Sequence, residues 1–350
     1  MIAETEPQVT LDSVTFRLPD ADSALEGTRL LPALSLPAAD LDFTFTDHAW
    51  HLTLPRPPVH RMEYRFQLRH LAGDLEEICD PGNPRRAPGA FGDKSVVEFP
   101  DYRAPGWLTA VGAGGEVTDL AVHAPLLDRD IAVRLWSPAP PAEPLPLLVT
   151  HDGPEYDRLA GLTTYAAAMI AAGELPPFRV ALLTPGDRDD EYAANPRYAA
   201  ALHQRVMPAL RQAVAVTEPV VGMGASLGGL AVLHAQRALP GLFGGLFLQS
   251  ASFLTVDLDP QEQHRFSRFG QVSVYVADVL RSVPHQTVPV VMTCGLAEEN
   301  LANNRQMAAT LAKQGYDVRL VEVPDAHNYV GWRDAFDPAL TALLRAVWTV

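Results

Sequence analysis

The stretch Val221-Gly222-Met223-Gly224-Ala225-Ser226-Leu227-Gly228-Gly229 constrains the fold more than any other part of this chain. An apolar run leads into a serine with a glycine two residues away on either side, and helix-compatible residues follow as far as Leu239. That is the pattern of a buried strand, a sharp turn and a helix, in which the serine hydroxyl stands clear of the end of a sheet. The turn demands strained backbone, and the spacing predicts that side chains at Gly224 and Gly228 would collide with the neighbouring strand or helix. A helix beginning at Leu227 aims its N-terminal N–H groups and positive dipole end at an anion forming beside Ser226.

The chain around this turn reads as two regions of different pattern. At 350 residues it exceeds the usual size of one core, which points to two domains. From about residue 8 to 103, short runs alternate apolar and polar residues: Val14 to Leu18, Leu41 to Phe45, Trp50 to Leu54, Met62 to Leu68 and Ser95 to Phe99. Period-two alternation broken by Pro, Gly and Asp predicts an antiparallel β-sandwich without a helix of any length. Beyond a linker holding Pro105, Gly112, Gly114 and Gly115 the pattern changes to strands alternating with helices. Strands are predicted at 131–136, 145–150, 179–184, 219–223, 245–250, 288–293 and 317–323, and helices at 163–172, 198–214, 227–239, 301–314 and 332–348. Such alternation makes a mostly parallel sheet flanked by helices, with its site at the carboxyl ends of the strands. The division drawn is 1–107 and 108–350.

A serine hydroxyl is a weak nucleophile at neutral pH and needs a base within reach and a group that orients the base. Sites of this architecture supply serine first, acid second and histidine last. His327 lies four residues past the strand ending at Val323 and is the only histidine after His285. For the acid, Glu298 and Glu299 both follow the strand that runs into Gly295, and the sequence pattern leaves the choice open. Asp325 is a further acid, in the histidine loop itself. The N–H of Leu227 is one expected oxyanion donor, and the second comes from the loop after 145–150, His151-Asp152-Gly153-Pro154-Glu155-Tyr156. Pro154 has no N–H, which leaves Gly153, Glu155 or Tyr156, with Gly153 favoured. His151 reads as a structural histidine. Among Arg158, Arg188, Arg197, Tyr156, Tyr192 and Trp332, the residues taken as substrate contacts are Tyr156 and Trp332 for stacking and Arg188 for an anionic group.

The formal charge of −15 argues against nucleic acid or an anionic membrane as partner. The two cysteines stand far apart in sequence, and the eleven histidines form no cluster at metal-ligand spacing, so the chemistry is expected to need neither metal nor cofactor. The first residues lack a basic and apolar leader, and no run reaches the ~18 apolar residues of a membrane span, so the expected location is the cytoplasm.

Taken together these residues resemble the enterochelin (siderophore) esterase family, within the esterase-D-like α/β-hydrolases, over nearly the whole chain. In the first half the resemblance rests on Trp50 with Leu52 and Leu54, Glu63-Tyr64-Arg65-Phe66, Asp80-Pro81-Gly82-Asn83-Pro84, Lys94 to Glu98, and Tyr102 through Pro105 to Trp107. In the second it rests on His151-Asp152-Gly153, Asp187-Arg188 with Glu191-Tyr192 and Asn195, Gly224 to Gly229, Gln249 to Phe253, Gly295 with Glu298, and His327 followed by Trp332. The resemblance implies an α/β-hydrolase domain preceded by an immunoglobulin-like sandwich. It also implies a serine esterase acting on a small-molecule ester through an acyl-enzyme, with Ser226, Glu298 and His327 as its triad, because the family pattern places the acid three residues after the glycine. The sequence departs from the family at Asp325-Ala326-His327-Asn328, where members often carry Gly-Gly-His-Asp. A general carboxylesterase of feruloyl or acetyl type, an acyltransferase, and a ligand- or carbohydrate-binding protein with an inert hydrolase domain are the alternatives. The sandwich could bind sugar, cover the site or serve a homodimer.

Overall fold

The computed structural model describes residues 6–348. By internal contacts the chain forms two compact units. One holds the residues up to Ala104 together with Gly295–Glu299 and Val323–Gly331, and the other holds the remainder.

The first unit carries strands β1 (Gln8–Val9), β2 (Ser13–Pro19), β3 (Leu25–Pro32), β4 (Thr44–Thr46), β5 (Ala49–Pro55), β6 (Arg61–His70), β7 (Leu75–Ile78), β8 (Arg86–Ala87) and β9 (Lys94–Glu98). They form two sheets, β1-β2-β5-β4 and β3-β6-β9-β8, with β7 also paired to β6. Among the described residues all of the pairings are antiparallel. Successive side chains of a strand point to opposite faces. Val14, Phe16 and Leu18 of β2, Trp50, Leu52 and Leu54 of β5, and Tyr64, Phe66 and Leu68 of β6 therefore enter one shared core. Its aromatic centre is tight: the rings of Phe16 and Tyr64 lie 4.8 Å apart and those of Phe43 and Phe66 5.2 Å. Strand β3 was not predicted. Gly27 and a register shift between Leu25 and Gly27 break its alternation, yet Thr28 and Leu30 still point inward.

The second unit is built on an eight-stranded sheet. Its strands are β10 (Glu116–Ala124), β11 (Arg129–Ser137), β12 (Leu145–Thr150), β13 (Arg179–Leu183), β14 (Val216–Ala225), β15 (Gly245–Gln249), β16 (Pro289–Gly295) and β17 (Asp317–Val323). They lie in the order β10-β11-β13-β12-β14-β15-β16-β17. The pairings from β13 through β12, β14 and β15 to β16 are parallel, and those of β10 with β11 and β11 with β13 are antiparallel. Central strands of such a sheet are covered on both faces, which is why they read as apolar runs: Leu147, Leu148, Val220, Val221, Leu246 and Leu248 are fully buried. Edge strand β10 was missed because only Val122 and Ala124 of its nine residues are buried.

The helices are α1 (Gly153–Ala160), α2 (Leu162–Ala171), α3 (Arg188–Tyr192), α4 (Pro196–Ala201), α5 (Met207–Ala213), α6 (Leu227–Ala238), α7 (Phe269–Val279), α8 (Leu301–Lys313), α9 (Tyr329–Asp334) and α10 (Thr341–Trp348). Two predicted helices are interrupted. The 198–214 segment passes through a π turn at Leu202–Val206, and the C-terminal helix breaks at Asp337, whose extended backbone precedes Pro338. Strand order reverses at β12: the chain leaves it for β13 on one side and later returns to β14 on the other. Ligands of open α/β sheets bind outside the carboxyl ends at such a switch point, here between β12 and β14.

No helix among the described residues is long and apolar enough to cross a membrane. Among the same residues no group of three or more His, Cys, Asp or Glu is arranged to hold a metal ion.

Candidate active site

Strand β14 ends at Ala225 and α6 begins at Leu227, leaving Ser226 alone at the corner with φ 55° and ψ −126°. A non-glycine residue there carries strain of about 1–3 kcal/mol and persists only where its surroundings hold it. Here they do. The Ser226 N–H donates to Gln249 O at 2.9 Å, and its carbonyl accepts from the N–H groups of Gly229, Leu230 and Ser252 at 3.1, 3.2 and 3.0 Å. The half-buried hydroxyl lies 3.1 Å from Ser252 Oγ.

The glycines relieve crowding, but not quite those predicted. A Cβ on Gly224 would lie 2.4 Å from the Gly228 carbonyl carbon, and one on Gly229 would lie 2.8 Å from Ala251 Cβ. At Gly228 the nearest atoms, Asp152 Oδ2 and His151 Cβ, are 3.3 Å away, a tight fit rather than a collision. The expectation of a clash at Gly228 is corrected for this reason: it faces the turn after β12, whereas Gly229 faces the residues after β15. Leu227 is the first residue of α6, where backbone N–H groups have no partner within the helix.

The turn beside Gly228 is the one from which the sequence drew a second donor. Asp152 is left-handed, with φ 52° and ψ 37°, and Gly153 opens α1 where a Cβ would lie 2.3 Å from Leu182 Cα. Only glycine fits. Arg188 grips the buried Asp152 carboxylate with two parallel bonds, Nε to Oδ1 and an Nη to Oδ2, both 2.8 Å. The Asp152 N–H donates to Tyr192 Oη at 3.3 Å, and the Arg188 guanidinium stands 5.4 Å from the centre of the Tyr192 ring. Arg188 is thus engaged by the turn itself, not presented solely to a ligand. The ring of His151 is fully buried between those of Tyr192 and Tyr198, and the His151 backbone N–H donates to Met223 O at 2.9 Å. Burial holds its imidazole pKa down to about 4, so it is neutral near pH 7.

Tyr156 and Trp332, expected to stack on a substrate, are both buried. Tyr156 is fully buried and its hydroxyl donates to Gln249 Oε1 at 2.9 Å. Trp332 is 7% exposed and its indole N–H donates to Ser250 Oγ at 2.9 Å. Gln249 completes the arrangement by donating to Thr293 Oγ1 and Trp332 O, each at 3.0 Å. The two aromatics belong to a buried polar network that ties the ends of β15 and β16 together, because an enclosed Tyr O–H or Trp N–H must find a partner.

Glu298 and His327 lie in the two loops that group with the first unit. Glu298 Oε2 lies 2.9 Å from His327 Nδ1, and Glu298 Oε1 accepts the Gly295 N–H at 2.8 Å. The Glu298 carboxylate is 1% exposed and the His327 side chain 38%. A carboxylate only accepts, so in a contact with one Nδ1 is the nitrogen that carries the hydrogen. Glu299 is exposed and outside this pair. Gly295 is required by close approach: a Cβ would lie 2.3 Å from Asp325 O and 2.7 Å from Glu298 Oε1. Asp325 turns away from the histidine to Ala326 N and Asn328, and burial raises its pKa to about 6.

Ser252 is a polar neighbour of Ser226 that chain order alone did not single out; its only signal was the Gln249 to Phe253 run.

The Esterase family model, described as “Putative esterase”, matches residues 124–343. No curated protein matches the chain significantly in sequence. Among solved structures, the enterobactin esterase of Shigella flexneri, in the presence of 2,3-dihydroxy-N-benzoyl-glycine, is 18% identical with a TM-score of 0.76, covering 99% of this chain and 98% of that one. The ferric enterobactin esterase of Salmonella typhimurium is 18% identical with a TM-score of 0.75, over 99% and 98%. The S-formylglutathione hydrolase of Staphylococcus aureus is 16% identical with a TM-score of 0.52, over 66% of this chain and 99% of that one. At these identities the likeness is one of fold, that of α/β-hydrolase esterases.

Proposed function

The chain belongs to the Esterase family, and from that premise we propose that it is a serine esterase that cleaves carboxylic esters through an acyl-enzyme carried on Ser226. Ser226 Oγ attacks the ester carbonyl while His327 Nε2 takes its proton. Glu298, bonded to Nδ1, keeps the imidazole in the right tautomer and stabilises its charged form. The tetrahedral oxyanion is met by the N–H of Leu227 and that of Gly153, each such donor worth about 10²–10³ in kcat. His327 then protonates the leaving alcohol, and water, activated by the same imidazole, releases the acid.

The observation that carries this reading is the strained backbone of Ser226 between β14 and α6, held by four hydrogen bonds. Strain of this kind, fully supported by its surroundings, is retained where a side chain must be presented. The chain order of Ser226, Glu298 and His327, each following the end of a strand of one sheet, adds to it.

For substrate we favour siderophore-type esters. The likeness to enterobactin esterases spans both sheets of the first unit, whereas that to S-formylglutathione hydrolase covers 66% of the chain. In the same reading residues 1–107 form an immunoglobulin-like sandwich and 108–350 the catalytic domain. A general carboxylesterase is the second reading, favoured by the engagement of Arg188 with Asp152.

Ser226→Ala is expected to leave a folded protein with p-nitrophenyl ester turnover at background and no fluorophosphonate labelling. Wild-type turnover in that variant would remove Ser226 as the nucleophile. Rates on a catecholate siderophore and on simple aryl esters decide between the two substrate readings.

A further inference from the structure

The first unit contains more than a sandwich core. Arg61, at the start of β6, is 3% exposed, and its surroundings come from both ends of the sequence. One guanidinium nitrogen donates to Glu63 Oε1 at 3.0 Å and to Asn328 Oδ1 at 3.1 Å, and lies 3.9 Å from Asp325 Oδ2. Asn328 passes the connection on: its amide donates to Asp325 Oδ1 at 2.8 Å, and its carbonyl oxygen accepts the Gly331 N–H at 2.8 Å. The residue before β6 joins in, since the His60 N–H donates to Pro324 O at 2.7 Å. The acid loop is held to the same unit. The Ser35 N–H donates to Ala297 O at 3.1 Å, and Ala297 is part of the sandwich core.

His327 therefore sits between Asp325 and Asn328, two residues fixed by one buried arginine of the sandwich, and its partner Glu298 follows a residue packed into that sandwich. A buried charge is strongly destabilising unless it is paired, so the chain keeps Arg61 only where Glu63, Asp325 and Asn328 all meet it. We propose that Arg61 is a positioning residue for the base, and that the sandwich serves the reaction by fixing the loops of His327 and Glu298. This rests on the reading of His327 as general base. It assigns the sandwich a role in turnover that does not require it to touch substrate.

The test uses the full chain, with Arg61→Met, which keeps length and apolar bulk but removes the fork, and Asn328→Ala, which removes the link without unpairing Arg61 from Glu63. Four quantities are measured: kcat and KM on a p-nitrophenyl ester, the rate of fluorophosphonate labelling, and the thermal midpoint. In folded protein kcat and the labelling rate should fall together by about tenfold or more while KM stays within about twofold, because positioning acts on the transition state. A merely structural role would lower the midpoint and leave kcat per folded molecule unchanged. That result in both variants overturns the proposal. If Arg61→Met does not fold, Asn328→Ala decides alone. Failure of the serine-esterase reading shows separately, as a wild-type protein that the probe does not label.

Discussion

The turn at Ser226 and the loops of Glu298 and His327 are held in place by different means. Around Ser226 the fixing is done by main chain: glycines at 224 and 229 that admit no side chain, and four backbone hydrogen bonds to residues within 26 positions. Around His327 it is done by side chains from far away, with Arg61 reaching Asn328 across 267 positions. A turn fixed by its own backbone tolerates changes nearby as long as the glycines remain. A loop fixed by a buried polar network fails when any member is removed, because the others are left unsatisfied.

The largest expected effect tests the second construction. Glu298→Gln should lower kcat by about 10³–10⁴, since the amide can donate to Nδ1 and so favour the wrong tautomer. Glu299→Gln should change it less than about twofold. Equal losses in the two variants, measured on one neutral ester, would mean that the 2.9 Å contact of Glu298 with His327 is not the working one.

A smaller effect is expected from the first construction. Asp152→Asn weakens the two-bond grip of Arg188 on the turn that presents Gly153, and kcat should drop about tenfold, equally on neutral and anionic esters. A loss confined to anionic esters would instead make Arg188 a substrate contact, the role that the sequence suggested for it.

How much could be read beforehand follows the same division. The strand, turn and helix around Ser226 and the parallel strands were legible because backbone geometry writes itself into local sequence as glycine spacing and apolar runs. Strand β17 lies at 317–323 as predicted. The burial of Tyr156 and Trp332 was not legible, because an aromatic in a loop or short helix has the same sequence signature whether it faces solvent or a buried polar partner. Arg61 and Asn328 were invisible for a deeper reason: a pair so far apart leaves no periodicity, and an arginine in a strand reads as a surface charge until its partners are known.

The smallest effects compare the two constructions through pH. His151 and Asp325 are both buried, one beside the Ser226 turn and one in the His327 loop, and burial displaces their pKa values in opposite directions. For His151 the value falls from 6.5 to about 4. Between these limits the unfolded chain binds the proton first, so the contribution of His151 is complete above pH 6.5 and is lost as pH falls towards 4. For Asp325 the value rises from 3.8 to about 6, so the folded protein holds the proton more tightly. Its contribution is complete below pH 3.8 and is lost as pH rises through 6. Each is on the order of 1–3 kcal/mol, and within pH 4–6 they oppose each other. Denaturant unfolding of wild type, His151→Phe and Asp325→Asn across that window separates them, because every other titration cancels in the differences. Relative to wild type, His151→Phe should gain stability as the buffer is made more acidic, and Asp325→Asn should gain it as the buffer is made more alkaline. Parallel curves would mean that neither group is enclosed as the two constructions require. A slope in only one variant would locate the looser construction, and a flat Asp325→Asn difference would show the Arg61 network open to water.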